Sequence, residues 1–264
     1  MLDSFEQVNC IKWIKKYFKS ANKKVAVIGI SGGVDSAVVA SLCVSALGAK
    51  NVIGVMMPID GDIGIDETKL ITQLGIRPIE TNLSNTYETI SDDVSNSHGM
   101  FSIGFSKLTN NNISQKDINI INGNVKARLR MVNLYSIATV CNGLVVGTTN
   151  KSETLIGYST KFGDGGVDIE PIQDFYKTEI YELAKDLKIP TSIIDKPPSA
   201  ELWKGQTDEE ELGFTYEVLD EYLEGMEKKY PGVWDPKIAT KIEEMIKNNR
   251  HKDLHLPYYK RGTK

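Results

Sequence analysis

Between Val25 and Leu47 the chain runs from continuous apolar residues through a short glycine- and serine-rich turn into a second apolar stretch. Val25-Ala26-Val27-Ile28 reads as a buried strand of a parallel sheet. Ala37 to Leu47, apolar nearly all round and rich in small residues, reads as a buried helix. The turn joining them is Gly29-Ile30-Ser31-Gly32-Gly33-Val34-Asp35-Ser36. Glycines there let the backbone approach a ligand closely. The helix start offers unpaired N–H groups and the positive end of a dipole, which suits phosphate. Ser31 and Ser36 add hydroxyl donors. Asp35 brings negative charge to an anion site, a conflict that a magnesium ion bridging carboxylate and phosphates would resolve.

The remaining chain alternates strands with helices. Asn51 to Met57 reads as a second strand ended by Pro58. Asp66 to Leu74 reads as a helix stopped by Gly75, Ile76 to Glu80 as a third strand, Gly143 to Asn150 as a fourth and Ile169 to Ile172 as a fifth. Tyr176 to Leu187 is a helix; Phe214 to Lys229 and Pro236 to Asn249 close the chain as two more. This pattern predicts an α/β fold, a doubly wound parallel sheet of about five strands flanked by helices, with C-terminal helices. Ahead of the sheet, Phe5, Val8, Ile11, Trp13, Ile14, Tyr17 and Phe18 recur at helical spacing among lysines, an amphipathic helix. Residues 82–122 are Asn- and Ser-rich; a helix is expected over 84–97 and a mobile loop over 106–115. A long helix follows to Cys141, with Asn122 or Asn124 as its cap. Asn124 and Arg128 share one of its faces, as do Lys126 and Arg130, and the bland reading is a solvated basic surface.

Composition excludes several classes. A net charge of −4 over 264 residues leaves no general nucleic-acid footprint. The 3 cysteines form no CxxC pair and fit reduced thiols in a cytoplasm. The first residues lack a signal peptide's apolar core, and no run approaches membrane-spanning length.

In open α/β sheets ligands sit at the carboxyl ends of strands, which places Thr148 and Glu153 near the Asp35 loop. A second carboxylate there would complete magnesium coordination; alternatively, Glu153 merely favours the start of the next helix. Lys177 stands at a helix N-terminus, where it opposes the dipole, so an anion-facing role is the more natural one. Lys161 to Asp168 is a glycine-rich tight loop. Pro190 to Gly213 reads as a loop carrying Pro198-Ser199-Ala200-Glu201-Leu202 and the acidic run Asp208 to Glu211. There is no Walker lysine, no GxGxxG and no Ser–His–Asp arrangement.

SGGVDS resembles the pyrophosphate-binding loop of the ATP pyrophosphatase superfamily. Together with NGNVKARLRM, VVGTTNKSE, TKFGDGGVDIEPI, PSAEL, QTDEEELGFTYEVLDEYLEG and the closing HK, it looks like the ammonia-dependent NAD synthetase family. The motifs stand in the family's order from Gly29 to Lys252. The resemblance implies a single domain over 1–264 with a Rossmann-like core from about 20 to 190 and a helical part and tail from about 200 to 264. It also implies a homodimer that converts deamido-NAD, ATP and ammonia into NAD, AMP and pyrophosphate. Gly29, Ile30, Ser31, Gly32, Gly33, Val34, Asp35 and Ser36 would hold the ATP phosphates. Thr148, Lys177 and Ser199 match ATP-contacting positions. Asp35 and Glu153 would bind magnesium, with Lys177 as a third catalytic group. Arg128, Lys161, Asp168, His251 and Lys252 match positions that hold deamido-NAD. Ser199 stands where many relatives have threonine and keeps the hydroxyl.

The implied chemistry activates a carboxylate by adenylation and lets ammonia attack the acyl carbon. The acidic run at 208–211 is a candidate for selecting or deprotonating ammonium. The stretch before Val25 is far shorter than an amidase domain, so ammonia is expected from solution or from a partner chain. Competing readings are a GMP synthetase-like or tRNA-modifying ligase of the same superfamily, or a non-catalytic nucleotide-binding regulator on the same fold.

Overall fold

The computed structural model describes residues 4–59, 61–91, 114–200, 202–203, 205–229, 232 and 234–252. Four strands, β1 (Ala26–Gly29), β2 (Val52–Met56), β3 (Arg77–Glu80) and β4 (Leu144–Val145), pair in parallel in the order β3-β2-β1-β4. Side chains alternate across β1. Ala26 and Ile28 join an apolar layer under helices α1 (Ser4–Ser20), α2 (Val34–Leu47) and α6 (Lys177–Asp186), while Val27 joins a layer under α4 (Gln115–Val140). Helices therefore cover both faces, as all-parallel sheets require.

The expected fifth strand does not form. Ile169 makes one parallel bridge to Val146, and Gly147 N donates to its carbonyl at 2.8 Å. Beyond it Pro171 has no N–H to give, and the Glu170 carboxylate takes the Thr149 N–H at 3.2 Å. A side chain has replaced the ladder.

Helix α1 packs Cys10, Ile14 and Phe18 on the core, and α2 is buried nearly all round. Helix α3 (Ile65–Leu74) ends on Gly75 in the left-handed region at φ 63°. Helix α4 begins earlier than expected. Ser114 caps it, its Oγ accepting the Asp117 N–H at 3.2 Å while Asp117 Oδ2 accepts the Ser114 N–H at 2.9 Å. Asn122 and Asn124 lie inside the helix rather than capping it. Residues 84–91 are helical; 92–97 and 106–113 lie outside the described residues.

After β4 come α5 (Lys151–Ile156), α6, α7 (Thr191–Ile194), α8 (Asp208–Leu212), α9 (Tyr216–Lys228) and α10 (Pro236–Asn249). The stretch read as one loop from Pro190 to Gly213 thus contains two short helices. Ile156, Leu212, Phe214, Tyr216, Leu219, Leu223 and Ile242 bury a separate apolar cluster that joins α5, α8, α9 and α10. No helix among the described residues is long and apolar enough to cross a membrane.

Candidate active site

A cavity of about 900 Å³ opens at the carboxyl ends of β1, β2 and β4. Its floor is the turn between β1 and α2. The N-cap of α2 is Gly33, which has no side chain to cap the helix, so the first N–H groups face the cavity without a side-chain acceptor. The serines act mainly inside the loop: Gly33 N donates to Ser31 Oγ at 3.2 Å, and Ser36 Oγ donates to the Gly33 carbonyl at 3.0 Å. Gly32 sits at φ +75°, a conformation L side chains rarely adopt. Of the loop residues expected to hold phosphate, all line the cavity except Gly32, which supplies the turn.

Asp35, Glu153 and Lys177 converge there from α2, α5 and α6. Lys177 Nζ lies 2.6 Å from Asp35 Oδ2 and 3.5 Å from Glu153 Oε1. Asn150, fully buried, binds both acids: its Nδ2 donates to Asp35 Oδ1 at 3.1 Å, and its Oδ1 accepts the Glu153 N–H at 3.0 Å. Glu153 Oε2 returns a bond from the Asn150 N–H at 3.2 Å. The helix-start reading of Glu153 holds for one of its oxygens: Oε2 closes the capping box of α5, while Oε1 faces the lysine.

Burial pushes the Glu153 carboxyl up to about 8, against the pull of Lys177, and the Asp35 carboxylate adds to the rise. Burial alone would lower the Lys177 ammonium, but Asp35 and Glu153 more than offset it and hold the group above the ordinary lysine value. Asp208, from the acidic run, is buried on the far side of this cluster. Tyr216 Oη donates to its Oδ2 at 3.1 Å and Tyr158 Oη to its Oδ1 at 3.2 Å. Burial raises the Asp208 carboxyl too, while Lys177 draws it down. One buried ammonium thus faces a surplus of carboxylates.

That surplus fits a divalent cation. Among the described residues no three His, Cys, Asp or Glu side chains gather as a metal site. Two carboxylates beside a glycine turn at a helix N-terminus are a protein share that would suit magnesium, which takes its other oxygens from phosphates and water.

The remaining expected contacts divide. Thr148 and Ser199 line the cavity, Ser199 Oγ donating to the Gln206 carbonyl at 2.7 Å. Lys252 also lines it, its Nζ donating at 2.8 Å to the carbonyls of Gly157 and Ser159 after α5. Burial lowers its ammonium. Arg128, Lys161 and His251 do not line the cavity but are brought together with one another: Arg128 Nη2 donates to the Lys161 carbonyl at 3.1 Å, and Lys161 Nζ donates to the His251 carbonyl. Asp168 stands apart. Its Oδ2 accepts the Val145 N–H at 2.8 Å and its Oδ1 accepts from Tyr135 Oη at 3.3 Å, next to the sheet.

The basic face of α4 is not simply solvated. Lys126 is buried, with Nζ donating to the Leu202 carbonyl at 3.1 Å, and Arg130 lines the cavity. Asn124 accepts from Thr160 Oγ1 at 2.7 Å, tying the loop after α5 to α4. Sequence reasoning missed Asn150, Tyr158 and Tyr216. The Asn150-x-x-Glu153 spacing is a capping signature that would have found the first.

A family model described as NAD synthase matches residues 6–256. An NH(3)-dependent NAD(+) synthetase from Alkaliphilus oremlandii is 40% identical over 257 residues, which cover 96% of this chain and 95% of that protein. Among solved structures, an NMN synthetase from Francisella tularensis matches at a TM-score of 0.83 and 32% identity over 99% of both chains. An NH3-dependent NAD synthetase from Campylobacter jejuni matches at 0.75 and 28% identity, over 98% of this chain and 100% of that one.

Proposed function

The chain belongs to the NAD synthase family, and from that premise we propose that the cavity at the strand ends is where its ligase chemistry takes place. The enzyme is an ammonia-dependent ligase. It amidates deamido-NAD at the expense of ATP, giving NAD, AMP and diphosphate through an adenylated carboxylate. One observation carries the placement: the buried Lys177 ammonium, 2.6 Å from Asp35, stands at the mouth of an uncapped helix N-terminus.

The α2 N–H groups and the glycine turn hold the β- and γ-phosphates, which leave as pyrophosphate when the nicotinate carboxylate bonds to the α-phosphorus. Lys177 donates to phosphate oxygens as charge builds on them. Asp35 and Glu153 would hold magnesium, which when bound screens the phosphate charge. Ammonia then adds to the acyl carbon, AMP departs with the C–O bond, and a proton is released. Thr148 and Ser199 face ATP; Arg128, Lys161, His251 and Lys252 serve the dinucleotide, and Asp168 supports that side from the sheet. The whole chain works as one synthetase domain, and its unpaired cysteines fit a reducing cytoplasm.

Incubation with deamido-NAD, ATP, magnesium and ammonium is expected to yield NAD with one AMP and one pyrophosphate each. ADP as the stoichiometric product would overturn the reading. Because one similar structure is an NMN synthetase, the deamidated mononucleotide belongs in the same assay; faster turnover of it would move the substrate.

The working unit is a homodimer. Ile118, Ile121 and Val132 are exposed on one face of α4, the face that also carries Arg128. A second copy would cover this stripe and bring the dinucleotide to the interface. Sedimentation at working concentration should give twice the chain mass; a fully active monomer would refute it.

A further inference from the structure

One helix of the C-terminal part reaches Lys177 at its outer end directly and at its inner end through Ser152. At the outer end, its ammonium lies 5.0 Å above the ring of Tyr216 on α9. One turn along α9, Asp220 reaches the inner end. Asp220 Oδ2 accepts the Thr178 N–H at 2.9 Å, and its Oδ1 accepts the hydroxyl of Ser152. The same Ser152 oxygen accepts the Lys177 N–H at 2.9 Å.

The residue before Lys177, Tyr176, caps α6 with no side-chain acceptor. The first two N–H groups of α6 are therefore satisfied from elsewhere, by a serine of α5 and an aspartate of α9. Ser152 is 0% exposed and Asp220 5%. Neither lines the cavity. A buried carboxylate at the start of α6 also favours the helix dipole, which the lysine opposes.

The geometry points to Asp220, acting through Ser152, as the positioning residue that sets Lys177 against Asp35 and Glu153. Ser152 is the neighbour of Glu153, so its hydroxyl fixes the start of α5 to the start of α6. Asp220 locks that junction, and with it the spacing between the Glu153 carboxylate and the Lys177 ammonium. This rests on the ligase reading of the cavity.

The test is steady-state kinetics of Ser152→Ala and Asp220→Asn, beside wild type and the control Tyr222→Phe. Tyr222 also lies on α9, where its hydroxyl reaches Glu243 at 2.9 Å, away from the lysine. In folded protein, kcat is expected to fall ~10- to 100-fold in the first two variants. KM for deamido-NAD should stay within about twofold. The control should lose some thermal stability and keep its kcat. A kcat per folded molecule within about twofold of wild type in Ser152→Ala overturns the positioning role, even if stability falls. Should Asp220→Asn not fold, Ser152→Ala decides alone. A wild type that makes no AMP would instead overturn the ligase reading itself.

Discussion

Asp35→Ala and Glu153→Ala are each expected to abolish turnover while the protein stays folded. Each removes one of two oxygen donors from a site where magnesium commonly has only one or two carboxylates to hold it. Neither change strands the lysine, because Nζ keeps the other acid, at 3.5 Å or 2.6 Å. The fold cost is therefore small beside the catalytic loss, which should reach ~10²- to 10³-fold or more, the scale on which electrostatic groups in such sites act. Glu153→Ala carries an added penalty, since Oε2 also closes the capping box of α5; loss of a cap costs about 1 kcal/mol. Turnover and circular dichroism of each variant check this. If either kept near-normal rate at limiting magnesium, that residue is no ligand.

Lys177→Met is expected to be the more damaging change, because it breaks the cluster from the other side. It deletes the ammonium and leaves Asp35, Glu153 and Asp208 facing one another in a partly dry site. Breaking a buried pair by removing one partner typically costs about 3–5 kcal/mol, since the remaining charge is uncompensated. Burial already holds the Glu153 carboxyl up at about 8, and loss of the lysine's pull raises it further, so near neutral pH Glu153 stays protonated and the uncompensated charge falls on Asp35 and Asp208. Thermal unfolding should show Lys177→Met well below both alanine variants, with part of the loss recovered on adding magnesium. Turnover should be lost in all three. Equal melting temperatures for Lys177→Met and Asp35→Ala would show that the lysine is not the cluster's counter-charge.

The sheet was legible because its signal is local. An apolar run followed by glycines and a second apolar run leaves little freedom, and β1, β2, β3 and α2 lie where the periodicity puts them. The fifth strand was not, because Ile169-Glu170-Pro171-Ile172 has the apolar look of a strand while its pairing is decided by a proline and a side-chain acceptor. The start of α4 was missed for a similar reason: Ser114 and Asp117 form a two-residue cap inside a stretch whose composition reads as loop. In the cavity, the motif residues Asp35, Glu153 and Lys177 were legible as separate candidates. What joins them was not. Tyr216, Ser152 and Asp220 look like ordinary helix residues in sequence, and their roles arise from contacts to other elements, Ser152 meeting Asp220 across 68 positions; Asn150 has a local capping signature, but its bond to Asp35 spans 115.

Those separations bear on how the chain reaches its native state. The glycine turn is synthesised early, yet the lysine that pairs with its Asp35 lies 142 residues downstream. The serine–aspartate link that seats that lysine spans 68 residues of the C-terminal half and encloses the lysine in sequence. During vectorial synthesis the sheet's first strands emerge well before α9 exists. Closing such long loops is entropically slow. On the proposed reading full nucleotide affinity needs α6 and α9 seated against the turn, so recovery of ATP affinity during refolding is expected to lag behind formation of the sheet.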